Sequence, residues 1–244
     1  MKIYIDANNL LKRYYHGGEY PYTIWVASIN RAIAQCGASN VFVVCDTATS
    51  RKYRRNICGK YKEGRDVESD PVFFQMFDDC TNIASTLNCT VVKVTTGEAD
   101  DFIHKFAEDG DQVWSNDRDL WTLLAKNVSI YVMANTKVTE DMLWQKFKTK
   151  KPEEVLLYKA LVGDPSDNIA GRRGFGPAAW EKLDQEGRDE VFKAFKEGLE
   201  HKLISFEAGK SYELASPVFD IEFEIDPSID ESFQEYITRK GIVC

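Results

Sequence analysis

Val91-Val92-Lys93-Val94-Thr95-Thr96-Gly97-Glu98-Ala99-Asp100-Asp101-Phe102-Ile103 holds two periodicities back to back. Residues 91–94 are a β-branched run, the pattern of a buried strand. Thr95, Thr96 and Gly97 interrupt it. Phe102, Ile103 and Phe106 then begin an apolar stripe at helical spacing. Three carboxylates, Glu98, Asp100 and Asp101, therefore sit where a strand hands over to a helix. A helix N-terminus favours negative charge, so acidic first-turn residues alone would imply no chemistry.

The pattern recurs, and recurrence changes its meaning. Ile3-Tyr4-Ile5 runs into Asp6, and Val41-Phe42-Val43-Val44-Cys45 into Asp46. Val113-Trp114-Ser115-Asn116 runs into Asp117, with Asp119 two residues on. In a parallel α/β sheet the carboxyl ends of the strands share one edge, and that edge binds ligands. Carboxylates gathered there repel one another unless cations neutralise them. Oxygen ligands without a supporting set of histidines and cysteines favour Mg²⁺ or Mn²⁺ over Zn²⁺.

A chain of 244 residues has ample length for a core, as one large domain or two small ones. The six cysteines (36, 45, 58, 80, 89 and 244) show no CxxC spacing and fit reduced thiols and a cytoplasmic location. No apolar run approaches a membrane span, and Met1-Lys2 leads straight into a strand rather than a signal peptide. The net charge of −8 argues against nucleic acid only if spread evenly. With the strand-end carboxylates and the two aspartates of a later loop set aside for metal, the remainder is near neutral.

Residues 51–65 are locally basic: Arg51, Lys52, Arg54, Arg55, Lys60, Lys62 and Arg65 face one acid, Glu63, with Tyr53 and Tyr61 interleaved. A solvated basic loop would look the same. Its place directly after Asp46 favours phosphate binding, with tyrosine available to stack on an unpaired base. Asp70-Pro71 reads as a helix start, and the stripe from Val72 to Leu87 as core packing. Residues 112–115 and 128–133 read as strands, 120–124 as a short helix. A helix over 153–162 ends in Gly163-Asp164-Pro165-Ser166-Asp167-Asn168-Ile169, followed by Gly171-Arg172-Arg173-Gly174-Phe175-Gly176-Pro177. Glycines between two helices permit a hairpin whose backbone N–H groups can hold a phosphate. Residues 219–225 alternate like a half-buried strand or an extended tail.

These residues together resemble the 5′ nucleases: phage 5′–3′ exonucleases, flap endonucleases and the 5′-nuclease domain of bacterial DNA polymerase I. The resemblance covers about residues 1–185 and its motifs come in order. Asp6-Ala7-Asn8-Asn9-Leu10 is similar to the first-strand motif, Asp46 to the second-strand aspartate, and Tyr61-Lys62 with Arg65 to the element at the base of the helical arch. Gly97-Glu98-Ala99-Asp100-Asp101 resembles the family's most specific motif, and Ser115-Asn116-Asp117-Arg118-Asp119 its paired-aspartate motif. Gly163 to Pro177 resembles the last metal motif and a helix-hairpin-helix, or helix-three-turn-helix, element.

The resemblance implies a PIN-like α/β fold, a central mainly parallel sheet with helices on both faces, plus that hairpin element. It divides the chain into a nuclease core (1–148, arch segment about 47–75), a helical region (149–203, hairpin element about 153–185) and a tail of unknown role (204–244), as one compact unit. It implies two Mg²⁺ or Mn²⁺ ions held by Asp6, Asp46, Glu98, Asp100, Asp101, Asp117, Asp119, Asp164 and Asp167, with Asp46, Asp100 and Asp101 near the first and Asp119, Asp164 and Asp167 near the second. Lys62, Tyr61 and Arg65 would act on the scissile phosphate and adjacent base. Arg51, Lys52, Arg54, Arg55, Lys60, Gly171, Arg172, Arg173, Gly174 and Gly176 would touch DNA, with room for K⁺ at the hairpin. The implied partner of this monomer is DNA with a 5′ flap, 5′ end or branch in phage or bacterial replication; RNA in an RNA–DNA hybrid is the alternative. A silent junction-binding module would show a degraded carboxylate set, and a nucleotide-binding domain a glycine-rich loop where Asp6-Ala7-Asn8-Asn9 stands. Two departures stand out. Ala178, Ala179 and Trp180 replace the basic residues common after the hairpin glycines, and 35 residues between Lys62 and Glu98 leave little room for a long arch.

Overall fold

The computed structural model describes residues 1–17, 20–63, 70–227 and 229–244. Its strands are β1 (Ile3–Asp6), β2 (Val41–Asp46), β3 (Thr90–Thr96), β4 (Gln112–Trp114), β5 (Ser129–Val132), β6 (Thr136–Lys137) and β7 (Glu222–Ile225). They form one sheet in the order β6-β5-β4-β1-β2-β3-β7. The five inner strands pair in parallel, while β6 and β7 run antiparallel at the edges. The helices are α1 (Ala7–Gly17), α2 (Pro21–Cys36), α3 (Lys52–Ile57), α4 (Pro71–Thr86), α5 (Ala99–Phe106), α6 (Glu140–Phe147), α7 (Glu154–Val162), α8 (Pro177–Lys182), α9 (Gln185–Glu197), α10 (Phe206–Ala215) and α11 (Phe233–Lys240).

Strand alternation sorts the core into two layers. Ile3, Ile5, Val43 and Val91 face one way and pack with Leu10, Trp25, Ile29, Met76 and Ile83 of α1, α2 and α4. Tyr4, Val44, Val92, Val94 and Val113 face the other way, against Phe102 and Ile103 of α5 and Leu143 of α6. A third cluster joins α7 to α8, α9 and α10 through Leu157, Leu161, Trp180, Val191 and Ala208.

Residues 204–244, read from sequence as a tail, are built into this body. β7 pairs with β3, Val94 opposite Phe223. The Phe223 ring meets Phe102 edge-on at 5.0 Å. On α11, Tyr236 is buried and its hydroxyl donates to Asp79 of α4 at 3.0 Å. Among the described residues no helix is long and apolar enough to cross a membrane.

Candidate active site

The parallel strands deliver their acidic residues to one edge, and short polar links fix each one there. Asp6 accepts from Asn9 N at 3.1 Å and from Ser115 Oγ at 2.7 Å, which joins the ends of β1 and β4. Asp46 gives its backbone N–H to Asn8 Oδ1 at 2.6 Å, and its carboxylate caps Ala99 N at the start of α5 at 2.7 Å. Between β3 and α5, Gly97 turns the chain at φ +87; a Cβ there would lie 2.7 Å from Ile221 Cγ2. The Asp117 backbone N–H donates to Ser115 Oγ at 2.9 Å, and its carboxylate caps Asp119 N at 3.0 Å. Asn116 bridges Asn9 and the Met133 N–H.

Such crowding raises carboxyl pKa values. Burial, with Asp46 and Asp117 nearby, pushes Asp6 up to about 7. Burial and Glu98 push Asp46 up to about 6. Asp119 rises to about 7, chiefly by burial and against the pull of Lys159. Burial and Asp101 hold Asp100 well above the ordinary carboxylate range. Two acids go the other way. Burial would raise Glu98, but Lys62 and Arg54 bring it down to about 2, and Lys159 does the same for Asp164.

The acids separate into two groups. In the first, Glu98 accepts from Lys62 Nζ at 2.7 Å, Tyr61 Oη at 2.9 Å and Arg54 Nη1 at 3.0 Å. Here three residues expected at the site have buried partners. Arg54, expected on DNA, is 3% exposed and spends its guanidinium on Glu98, Asp101 and the carbonyls of Leu214 and Ser216. Asp101, expected on a metal, is fully buried: each oxygen accepts from Arg54, and the two also accept from the Glu98 and Val218 N–H groups. Tyr61, expected to stack on a base, is 2% exposed and packs among Ile169, Leu214 and Ala215. In each case a buried partner claims the group before solvent or ligand can reach it. The guanidinium fork matches a carboxylate in two places, so Arg54 and Asp101 satisfy each other.

In the second group Lys159 is the hub. This α7 side chain reaches Asp119 Oδ1, lies 2.6 Å from Asp164 Oδ2 and 3.8 Å from Asp167 Oδ2. Burial alone would lower its pKa, yet the surrounding aspartates raise it. Sequence reasoning passed over Lys159, although the signal was there: a lone lysine in an apolar helix, five residues before Asp164. Lys62 links the two groups, its ammonium on Glu98 and its backbone N–H on the Asp167 carbonyl at 3.2 Å. A cavity of about 470 Å³ opens beside the second group, lined by Asn9, Asp117, Asp119, Lys159, Asp164 and Asp167.

Lys52, Arg55 and Lys60 are exposed, and Arg51 lies half-buried 3.6 Å from Glu98. Arg65 lies outside the described residues, as does part of the expected arch. After α7, Asp164 and Ile169 exchange two backbone hydrogen bonds of 2.9 Å, and the Arg172 N–H returns to Leu161 O at 2.8 Å. Gly171 (φ +69) needs its missing Cβ, because a methyl there would lie 2.5 Å from Gly163 N. Arg173 and Gly174 are exposed at the tip, Gly176 caps α8, and Arg172 is half-buried against Lys202 O at 3.3 Å.

The donor set on this edge is all oxygen. His104 is held by Asp100 O and Thr122 Oγ1, and burial takes its pKa down to about 4. Among the described residues no three acids, histidines or cysteines converge into a ready-made metal cage. An open, all-carboxylate edge fits Mg²⁺, which keeps several waters and takes only one or two protein carboxylates beside a phosphate.

A family model described as the 5′-3′ exonuclease N-terminal resolvase-like domain matches residues 2–150. DNA polymerase I of Thermus thermophilus is 30% identical over 165 residues, 65% of this chain and 19% of the polymerase. A 5′-3′ exonuclease of Mycoplasmopsis pulmonis is 25% identical over 270 residues, 96% of this chain and 90% of that protein. The chain thus spans about a fifth of the polymerase and nearly all of the exonuclease. The bacteriophage T5 flap endonuclease, solved as a pseudo-enzyme–product complex with DNA and metal ions, superposes with a TM-score of 0.63 at 21% identity, over 87% of this chain and 85% of that one. That likeness is one of fold. With residues 2–150 inside the family model, the chain belongs to the 5′-3′ exonuclease family.

Proposed function

We propose that this chain is a divalent-metal-dependent 5′ nuclease that hydrolyses phosphodiester bonds of DNA at 5′ ends, flaps or branches, in phage or bacterial replication. The observation that carries the reading is the acidic edge itself. Asp6, Asp46, Asp100, Asp117 and Asp119 gather at this edge; Lys159 reaches Asp119, and Lys62 pulls on Asp46 and Asp100, yet most of the five still have carboxyl pKa values driven up. Burial raises them most and neighbouring carboxylates add to it, and that repulsive share is what a pair of divalent ions relieves. The relatives' names and the T5 complex with DNA and metal ions point the same way.

Asp46 and Asp100, with Asp6, Glu98 and Asp117 directly or through water, would hold the first ion. Asp119, Asp164 and Asp167 would hold the second. The ions, when bound, supply an activated water and stabilise the leaving oxygen. Asp101 takes no part as a ligand; through Arg54 it fixes Glu98 and the start of α5. Lys62, between the two acidic groups, offsets charge on the scissile phosphate. Tyr61 acts through Glu98, which it orients, rather than on a base. The exposed Lys52, Arg55 and Lys60 hold the phosphate backbone, and the 163–176 hairpin, as a helix-hairpin-helix, grips duplex DNA through its backbone N–H groups.

The test is a 5′-flap duplex labelled at either end, incubated with Mg²⁺ and separately with EDTA. Mg²⁺-dependent products from the 5′ side support the reading, and their lengths separate junction cutting from stepwise trimming. Tight binding without cleavage would defeat it in favour of a silent binding module.

A further inference from the structure

Lys159 has no role in the chemistry above, yet its position is costly. A lysine buried in an apolar helix must recover its lost hydration from partners. Its neighbours on α7 are core residues, with Leu157 and Leu161 in the third cluster and Ala160 fully buried. Lys159 is 4% exposed, and its ammonium contacts Asp119 Oδ1, Asp164 Oδ2 at 2.6 Å and Asp167 Oδ2 at 3.8 Å. Those three carboxylates are the ones that would hold the second ion. An ammonium is a compact point charge with three donors, the nearest thing a protein side chain offers to a small cation.

Geometry also limits coexistence. The Asp164 Oδ1 atom already accepts from Ser166 N at 2.9 Å and Ser166 Oγ at 2.6 Å, which leaves Oδ2 to face the cluster. Lys159 occupies that Oδ2 and an oxygen of Asp119 at once. An ion held by Asp164 would have to compete with the ammonium for Oδ2, the oxygen that faces the cluster.

We propose that Lys159 is an internal counter-cation of this cluster: it holds Asp119 and Asp164 together when no divalent ion is present, and a second ion enters only by displacing it. The inference rests on the two-ion reading above. It makes the second site the weaker of the two, so the chain carries one ion at low divalent concentration and acquires the other as concentration rises. The lysine then sets the concentration at which the site is complete, and it keeps the empty cluster from repelling itself apart.

Mn²⁺ binding to the purified wild-type chain, followed by electron paramagnetic resonance of free Mn²⁺ and by calorimetry without DNA, tests this directly. The expected wild-type result is one tight ion and a second at least about tenfold weaker. Lys159→Met keeps the stem and removes the charge, and should tighten the second ion at least about tenfold, closing the gap. Lys159→Arg keeps the charge and should keep the gap. Circular dichroism checks each fold, and Lys159→Gln replaces Lys159→Met if the latter does not fold without metal. Two equal ions in the wild type, or a gap that survives removal of the charge, overturns the proposal while leaving the two-ion reading intact. No Mn²⁺ bound by the wild type overturns both.

Discussion

Arg54→Met replaces a guanidinium whose N–H groups are taken up by two carboxylates and two carbonyls. Nε donates to Leu214 O at 3.0 Å, and Nη2 to Asp101 Oδ1 at 2.7 Å and Ser216 O at 3.1 Å. Nη1 donates to Asp101 Oδ2 at 2.7 Å and Glu98 Oε2 at 3.0 Å. Methionine fills the stem but leaves Asp101 as an uncompensated charge in a place with no solvent exposure. Removing one partner of a buried pair costs about 3–5 kcal/mol. For a chain of this size each kcal/mol lowers Tm by about 2–4 °C, so the loss should be about 10 °C. Melting followed by circular dichroism in EDTA gives the number. The double variant Arg54→Met/Asp101→Leu should regain part of it, because an apolar pair carries no stranded charge. A Tm within about 2 °C of wild type would refute the burial argument. A fall in DNA affinity at unchanged Tm would return Arg54 to the DNA face.

Three further outcomes follow from the same geometry. Asp117→Asn/Asp119→Asn should abolish cleavage while a filter-binding assay still registers DNA; cleavage at the wild-type rate would remove both from the metal site. In EDTA, Tm should fall between pH 5 and pH 8. Asp46 (about 6), Asp6 and Asp119 (both about 7) hold protons more tightly folded than unfolded, so their contribution is complete at low pH and lost as pH rises through those values, whereas Glu98 and Asp164, both about 2, have finished contributing by pH 5. Mg²⁺ should then stabilise more at pH 8 than at pH 5, and a Tm that climbs with pH in EDTA would contradict the repulsion. Gly171→Ala forces a methyl to 2.5 Å from Gly163 N and 2.6 Å from Val162 C at φ +69, both rigid backbone. It should cost more than about 2 kcal/mol in urea unfolding, and a neutral result would mean that the hairpin is not closed as described.

The acidic edge was legible because two local rules agree on it. A β-branched run reads as a strand, and a carboxylate at its end falls on the shared edge of a parallel sheet, so the sequence alone assigns Asp6, Asp46 and Asp117 to that edge. What escaped was direction within an element. Lys52 to Ile57 is a helix of six residues, too short for periodicity to say that Arg54 points inward while Arg55 points out. Asp100 and Asp101 are adjacent and alike, and only the Arg54 fork and the Val218 N–H distinguish the buried one. Tyr61 has its burial from Ile169 and Leu214, more than a hundred residues away. Lys159 stands out as a lone lysine in an apolar helix, but nothing local shows that Asp119, forty residues earlier, meets it there. The stretch 219–225 had its strand periodicity in plain view, but no local signal could reveal that it pairs with β3.

That last pairing bears on the order of events during synthesis. Arg54 and Asp101 find their remaining partners at Leu214, Ser216 and Val218, and Gly97 is covered by Ile221. A nascent chain that has emerged only through α6 already contains the residues of the first acidic group, but not the backbone that holds Arg54 and Asp101 in place. Contacts of such sequence separation form late. The backbone that supports Arg54, Asp101 and Gly97 is therefore completed only after residues 214–221 have left the ribosome.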